Sequence, residues 1–205
     1  MKKLSALILA VVFSLVALAG CGPQKGQPAS DLPQENTDVQ VSEPMDYEQA
    51  LARYTELESL YVDPNSKGYP PRPEDPAAFT AREIVIPLAV TDSYTPTLHF
   101  LCRTTEGNSA GRWEISNIWF AFLDTDGGVK PCRFNGNVEF WPRGENQIEY
   151  VINGDFYTDA VPKAEGTFSG AVGTDENGSF SSAVSDDTPG NHYAYFYSHE
   201  TKTFQ

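Results

Sequence analysis

From Arg82 to the C-terminus, short runs of β-branched and aromatic residues are separated by clusters of turn-forming residues. Glu83–Thr91 and Thr97–Thr104 are the first two runs, and Arg112–Leu123 (RWEISNIWFAFL) is the longest and almost free of charge. Val138–Trp141, Ile148–Ile152, Thr167–Val172, Ser179–Val184 and His192–Tyr197 follow, several of them alternating apolar and polar. Side chains on a strand change face at every residue, so such runs predict strands, and helical periodicity is absent from this half. Asp126-Gly127, Asn135-Gly136, Asn153-Gly154 and Asn177-Gly178 supply residues that adopt positive φ readily, which predicts a series of tight hairpin turns. The expected fold class is mainly β, an antiparallel β-sandwich or β-barrel of about nine or ten strands.

One helical pattern precedes the strands. Tyr47, Leu51, Tyr54, Leu57 and Tyr61 recur at three- and four-residue spacing, and Asp46 and Glu48 suit the first turn, which predicts a single N-terminal helix over 46–61. Asp63–Pro76 (DPNSKGYPPRPEDP) ends that helix and predicts an extended connector; Pro70-Pro71-Arg72-Pro73 suits that role better than a polyproline recognition segment. Residues 22–45 are rich in Pro, Gln, Ser, Asp and Glu and lack aromatics, so they read as a disordered tether.

The first residues place the chain in the cell. Met1-Lys2-Lys3 is cationic, Leu4–Ala19 carries no charge, and the segment ends in small residues, the build of a secretory signal peptide. It is short for a membrane span, which needs about 20 apolar residues. Its end, Leu18-Ala19-Gly20-Cys21, resembles the lipobox of bacterial lipoproteins. That resemblance implies cleavage before Cys21 and a diacylglyceryl group on its thiol, and two acyl chains hold a protein firmly where one does not. The expected organisation is a lipoprotein signal peptide (1–20), a lipidated cysteine with its tether (21–45) and a single β-rich extracytoplasmic domain (46–205). The protein is thus expected on the outer side of a membrane in the bacterial cell envelope, attached by lipid on Cys21.

Charge narrows the partners. Loss of Lys2 and Lys3 with residues 1–20 takes the formal charge from −14 to −16. Such a surface repels nucleic acid and anionic headgroups, so a nucleic-acid partner is excluded. Cys102 and Cys132 remain after Cys21, and an even pair in an exported protein suggests a disulfide. Strands that flank a third in one flat meander would hold them about 9–10 Å apart, too far for a bridge, so two free thiols are an equal alternative.

Candidate chemistry is thin. Gly107-Asn108-Ser109-Ala110-Gly111 matches the nucleophile-elbow pattern, but its flanks predict strand–loop–strand where the motif needs strand–turn–helix. Asp124-Thr125-Asp126-Gly127 starts like a calcium loop, yet Gly128 and Asn135 stand where the fifth and twelfth positions need ligands. His192 and His199 differ by an odd number and would face opposite ways in a regular strand, which argues against a shared metal site. No catalytic residue, metal ligand or cofactor is therefore assigned. The aromatics carry the most promise. Tyr193, Tyr195 and Tyr197 alternate on the last strand and are expected to share a face, as are Trp113 and Trp119 on the longest. Such rows either fill a core or present rings to a glycan or protein partner. Tyr193, Tyr195 and Tyr197 are the candidate binding residues of an extracytoplasmic binding or envelope-interaction module. A small extracytoplasmic hydrolase built on converging carboxylates is the alternative.

Overall fold

A computed structural model of the chain describes residues 39–61, 80–107, 112–128, 132–160, 162–169 (backbone only), 177–187 and 189–205. The described residues form a mainly β fold of two antiparallel sheets and one helix. Strands β1 (Gln40–Val41), β2 (Thr80–Pro87), β3 (Thr97–Glu106) and β4 (Trp113–Asp124) make the first sheet in the order β1-β2-β3-β4. Strands β5 (Cys132–Pro142), β6 (Gln147–Thr158), β7 (Pro162–Ser169), β8 (Gly178–Val184) and β9 (Asn191–Thr203) make the second, in the order β7-β8-β5-β6-β9.

The two sheets pack through one apolar core. Ile84, Ile86, Leu98, Phe100, Ile115 and Ile118 of the first meet Phe134, Val138, Phe140, Ile148, Ile152 and Phe156 of the second. Phe100 and Phe140 join the layers edge to face, with ring centroids 5.4 Å apart. Helix α1 (Tyr47–Tyr61) covers the outer face of the first sheet. Asp46 caps it by accepting the Gln49 N–H at 2.9 Å, and the Gln49 side chain accepts the Asp46 N–H in return. Its buried Ala50, Tyr54 and Leu57 pack on Ala81, Leu101, Trp119, Phe120 and Phe122. Among the described residues the layers are thus helix, sheet, sheet, with the outer face of the second sheet left over.

Several expectations are corrected. Residues 39–45, assigned above to the tether, belong to the fold: Val41 pairs with Ile84, and Val39 and Val41 pack on the core. The averaged polarity of 22–45 hid those valines. Asn135-Gly136 and Asn153-Gly154 are not turns. They lie opposite one another in mid-strand, with Gly136 facing Gly154 across β5 and β6. The chain reverses instead at Arg143–Asn146, where Gly144 and Glu145 hold φ of +69° and +46°. Trp113 and Trp119 do not share a face. One irregularity between them in the β3–β4 pairing, with Ser116 as the extra residue, reverses the alternation and turns Trp119 toward the helix while Trp113 stays in the core between the sheets, and both are buried. Cys102 and Cys132 lie in different sheets, not one meander, and both are buried free thiols. Burial pushes both thiols up, and Cys132 lies against the Tyr94 hydroxyl.

Candidate functional site

The exposed face of the second sheet is assembled by register. On β6 the residues alternate strictly, with Ile148, Tyr150, Ile152 and Phe156 inward and Glu149, Val151, Asn153, Asp155 and Tyr157 outward. Cross-strand pairing sets Arg133, Asn135, Asn137, Glu139 and Trp141 of β5 beside Tyr157, Asp155, Asn153, Val151 and Glu149 respectively. On the other side, β9 sets Tyr195 beside Asp155, Tyr197 beside Asn153 and His199 beside Val151.

A bulge decides which residues of β9 join this face. Phe156 pairs with Ala194 but Tyr157 pairs with His192, so Tyr193 is the extra residue. Tyr193 therefore leaves the row it was expected to share. Its ring packs edge to face on Tyr94, itself part of the core, and its hydroxyl reaches Thr91 at 3.2 Å. His192 takes the vacated place. With the bulge between them, His192 and His199 point to the same face, against the expectation from their odd spacing. The outward file along β9 is His192, Tyr195, Tyr197 and His199.

Each member of that file is braced, except where it is left open. Tyr195 donates its hydroxyl to Asn153 Oδ1 at 2.9 Å, which lays the ring over β6 while 59% of the residue stays exposed. Tyr197 is 55% exposed. His192 Nε2 bonds Asp155 Oδ1 at 2.9 Å and its ring meets Tyr157 edge to face. His199 Nε2 bonds Glu149 Oε1 at 2.7 Å, and Arg143 donates to Glu149 Oε2 while lying over the Trp141 ring. Those bonds, from His199 first and Arg143 second, hold the Glu149 carboxyl below its ordinary value.

Comparison with family models, curated proteins and solved structures gives no match. The chemistry of the face is therefore read from its residues alone.

A second polar cluster lies between helix and first sheet. Arg53 grips Glu83 with two hydrogen bonds of 2.8 and 2.9 Å, and His99 bonds the same carboxylate through Nδ1 at 3.0 Å and Thr97 through Nε2 at 2.8 Å. The His99 ring stacks on Phe122, and so does Tyr61 from the end of the helix. Burial alone would raise the Glu83 carboxyl, but the bonds from His99 and Arg53 overrule it and hold it at about 2. This cluster locks α1 to β2 and β3.

The remaining candidates place as follows. Ser109 lies outside the described residues, and the strands beside it pair as a hairpin, Glu106 opposite Trp113. Cys21 and Pro70–Pro73 also lie outside them. The Asp126 N–H bonds Asp124 Oδ1 at 2.9 Å, and among the described residues no group of three or more His, Cys, Asp or Glu is placed to hold a metal ion. Sequence reasoning set His192 and His199 on opposite faces and Asn153 in a turn, and so did not bring them together with Asp155 on one face. The alternation Glu149, Val151, Asn153, Asp155, Tyr157 was a visible signal of one outward face, but not of what stood beside it.

Proposed function

We propose that this protein is a lipid-anchored extracytoplasmic binding module, attached through Cys21, whose ligand lies on the outer face of β5, β6 and β9. One observation carries the reading. Among the described residues, the inner faces of both sheets fill a common core and the helix covers the outer face of the first, while Tyr195 and Tyr197 stand exposed on the fourth face. Large exposed rings in a polar surround mark interaction sites, because such a surface gains more from a partner than from water. The hydrolase alternative draws no comparable support. Glu83, Glu149 and Glu200 among the described residues are held down by their partners, the opposite of what a general acid needs.

Two measurements test this. Wild-type protein should partition into the detergent phase of a membrane extract, and Cys21→Ser should block lipid addition and leave precursor or release protein into the medium; aqueous wild-type protein would refute the anchor. For the face, Tyr195→Ala and Tyr197→Ala should each shift the melting temperature by no more than about 2 °C, since exposed substitutions change stability within about 0.5 kcal/mol. Each should also weaken sedimentation of the detergent-solubilised protein with washed envelope material at least tenfold, a loss of about 1.4 kcal/mol. Unchanged sedimentation in both variants would remove the face from function.

A further inference from the structure

Resting on that reading, we infer that the ligand is an uncharged polysaccharide chain lying along β9, with sugar rings stacked on Tyr195 and Tyr197. The file from His192 to His199 spans about 20 Å at the rise of an extended strand. That is a long, narrow track suited to a linear polymer. A sugar ring has an apolar face for an aromatic ring and hydroxyls around its edge that donate and accept. The track supplies both complements in one register. Tyr195 and Tyr197 are its flat surfaces, and Asp155, Asn153, Asn135 and Asn137 lie alongside on β6 and β5. Because Tyr195 occupies Asn153 Oδ1, the Asn153 amide nitrogen keeps donors for a ligand oxygen.

The same residues disfavour other occupants. A protein interface buries an apolar, charge-depleted centre. Here the two rings stand between imidazole–carboxylate pairs already made within the face, His192 with Asp155 and His199 with Glu149, where a protein interface would be depleted of charge. The outward amides of Asn135, Asn137 and Asn153 match the hydroxyls of a sugar. Charge disfavours a polyanion. Arg143, His192 and His199 already serve Glu149 and Asp155 within the face, Arg133 at its end shares the face with Glu139, Glu149 and Asp155, and the whole chain carries a formal charge of −14. Neither feature opposes a neutral chain.

The test uses full-length protein in detergent micelles, with soluble linear β-glucan, β-mannan and chitin oligomers as neutral probes and polygalacturonate as the anionic one. Binding is followed by titration calorimetry at low and high salt. The expected result is binding to at least one neutral probe that is insensitive to salt. It should weaken at least tenfold in Tyr195→Ala and in Tyr197→Ala and persist in Tyr193→Ala, whose ring lies off the track. Neutral binding that survives the Tyr195 and Tyr197 variants overturns the placement. Salt-sensitive binding to polygalacturonate alone overturns the neutral class. Absence of binding to every probe, while envelope sedimentation still depends on Tyr195 and Tyr197, overturns the glycan inference and leaves the binding face. Loss of that dependence as well overturns both.

Discussion

Gly154→Ala should destabilise the protein by about 3 kcal/mol or more, lowering its melting temperature by roughly 10 °C or preventing folding. A Cβ at this position would lie 2.5 Å from the Asn135 carbonyl oxygen, 2.7 Å from Gly136 Cα and 2.6 Å from the Phe134 ring. Two of those atoms are backbone and have nowhere to go without opening the β5–β6 ladder. The third belongs to a ring that covers both glycines and packs on Phe156 at 5.1 Å, so displacing it disturbs the core as well. Gly136 and Gly154 thus serve as a pair of flat backbones under one aromatic ring, which no residue with a side chain allows. Asn137→Ala, next to Gly136 on the partner strand and exposed, is the control and should change stability by less than about 0.5 kcal/mol. Thermal unfolding decides it: a Gly154→Ala midpoint within 2 °C or so of wild type would mean that the ring is free to move aside.

Glu83→Gln should cost about 2–3 kcal/mol at neutral pH, because it leaves Arg53 and His99 facing a neutral amide in a half-buried site. The pH dependence separates charge from shape. The Glu83 carboxyl is held at about 2 in the folded protein, against 4.5 for the ordinary group. A depressed folded value means that its stabilisation is complete above about pH 5 and fades as the pH falls toward 2, as the unfolded chain takes up its proton first. The difference corresponds to at most about 3.4 kcal/mol, and the part-exposed Arg53 end argues for a smaller value. The stability gap between wild type and Glu83→Gln should therefore stay constant from pH 7 to about 5 and then narrow. Denaturant unfolding across that range measures it, and a gap that does not change with pH would assign the loss to packing alone.

These two sites mark the limits of what the residue order determined. The strand-rich class, the helix from Tyr47 to Tyr61 with its Asp46 cap, and the segments that became β2, β3, β4 and β6 follow from local pattern. Period-two alternation and helical spacing express which side of an element is dry, and each stretch carries that information itself. The net negative charge is likewise a property of composition. What lies outside local pattern is who stands beside whom. Asn135-Gly136 and Asn153-Gly154 have the composition of turns, and only pairing between strands 18 residues apart turned them into a flat seat for Phe134. Tyr193, Tyr195 and Tyr197 alternate as one row, but a single extra residue in the β6–β9 ladder sent Tyr193 to Tyr94 and brought His192 beside Tyr195. Side-chain direction in a strand is counted from the register, and a bulge resets the count. The exposure of Tyr195 and Tyr197 is also a tertiary outcome. The same alternating rings would have been core had the helix packed on the second sheet, and they are a surface because its apolar stripe found Phe120 and Phe122 on the first.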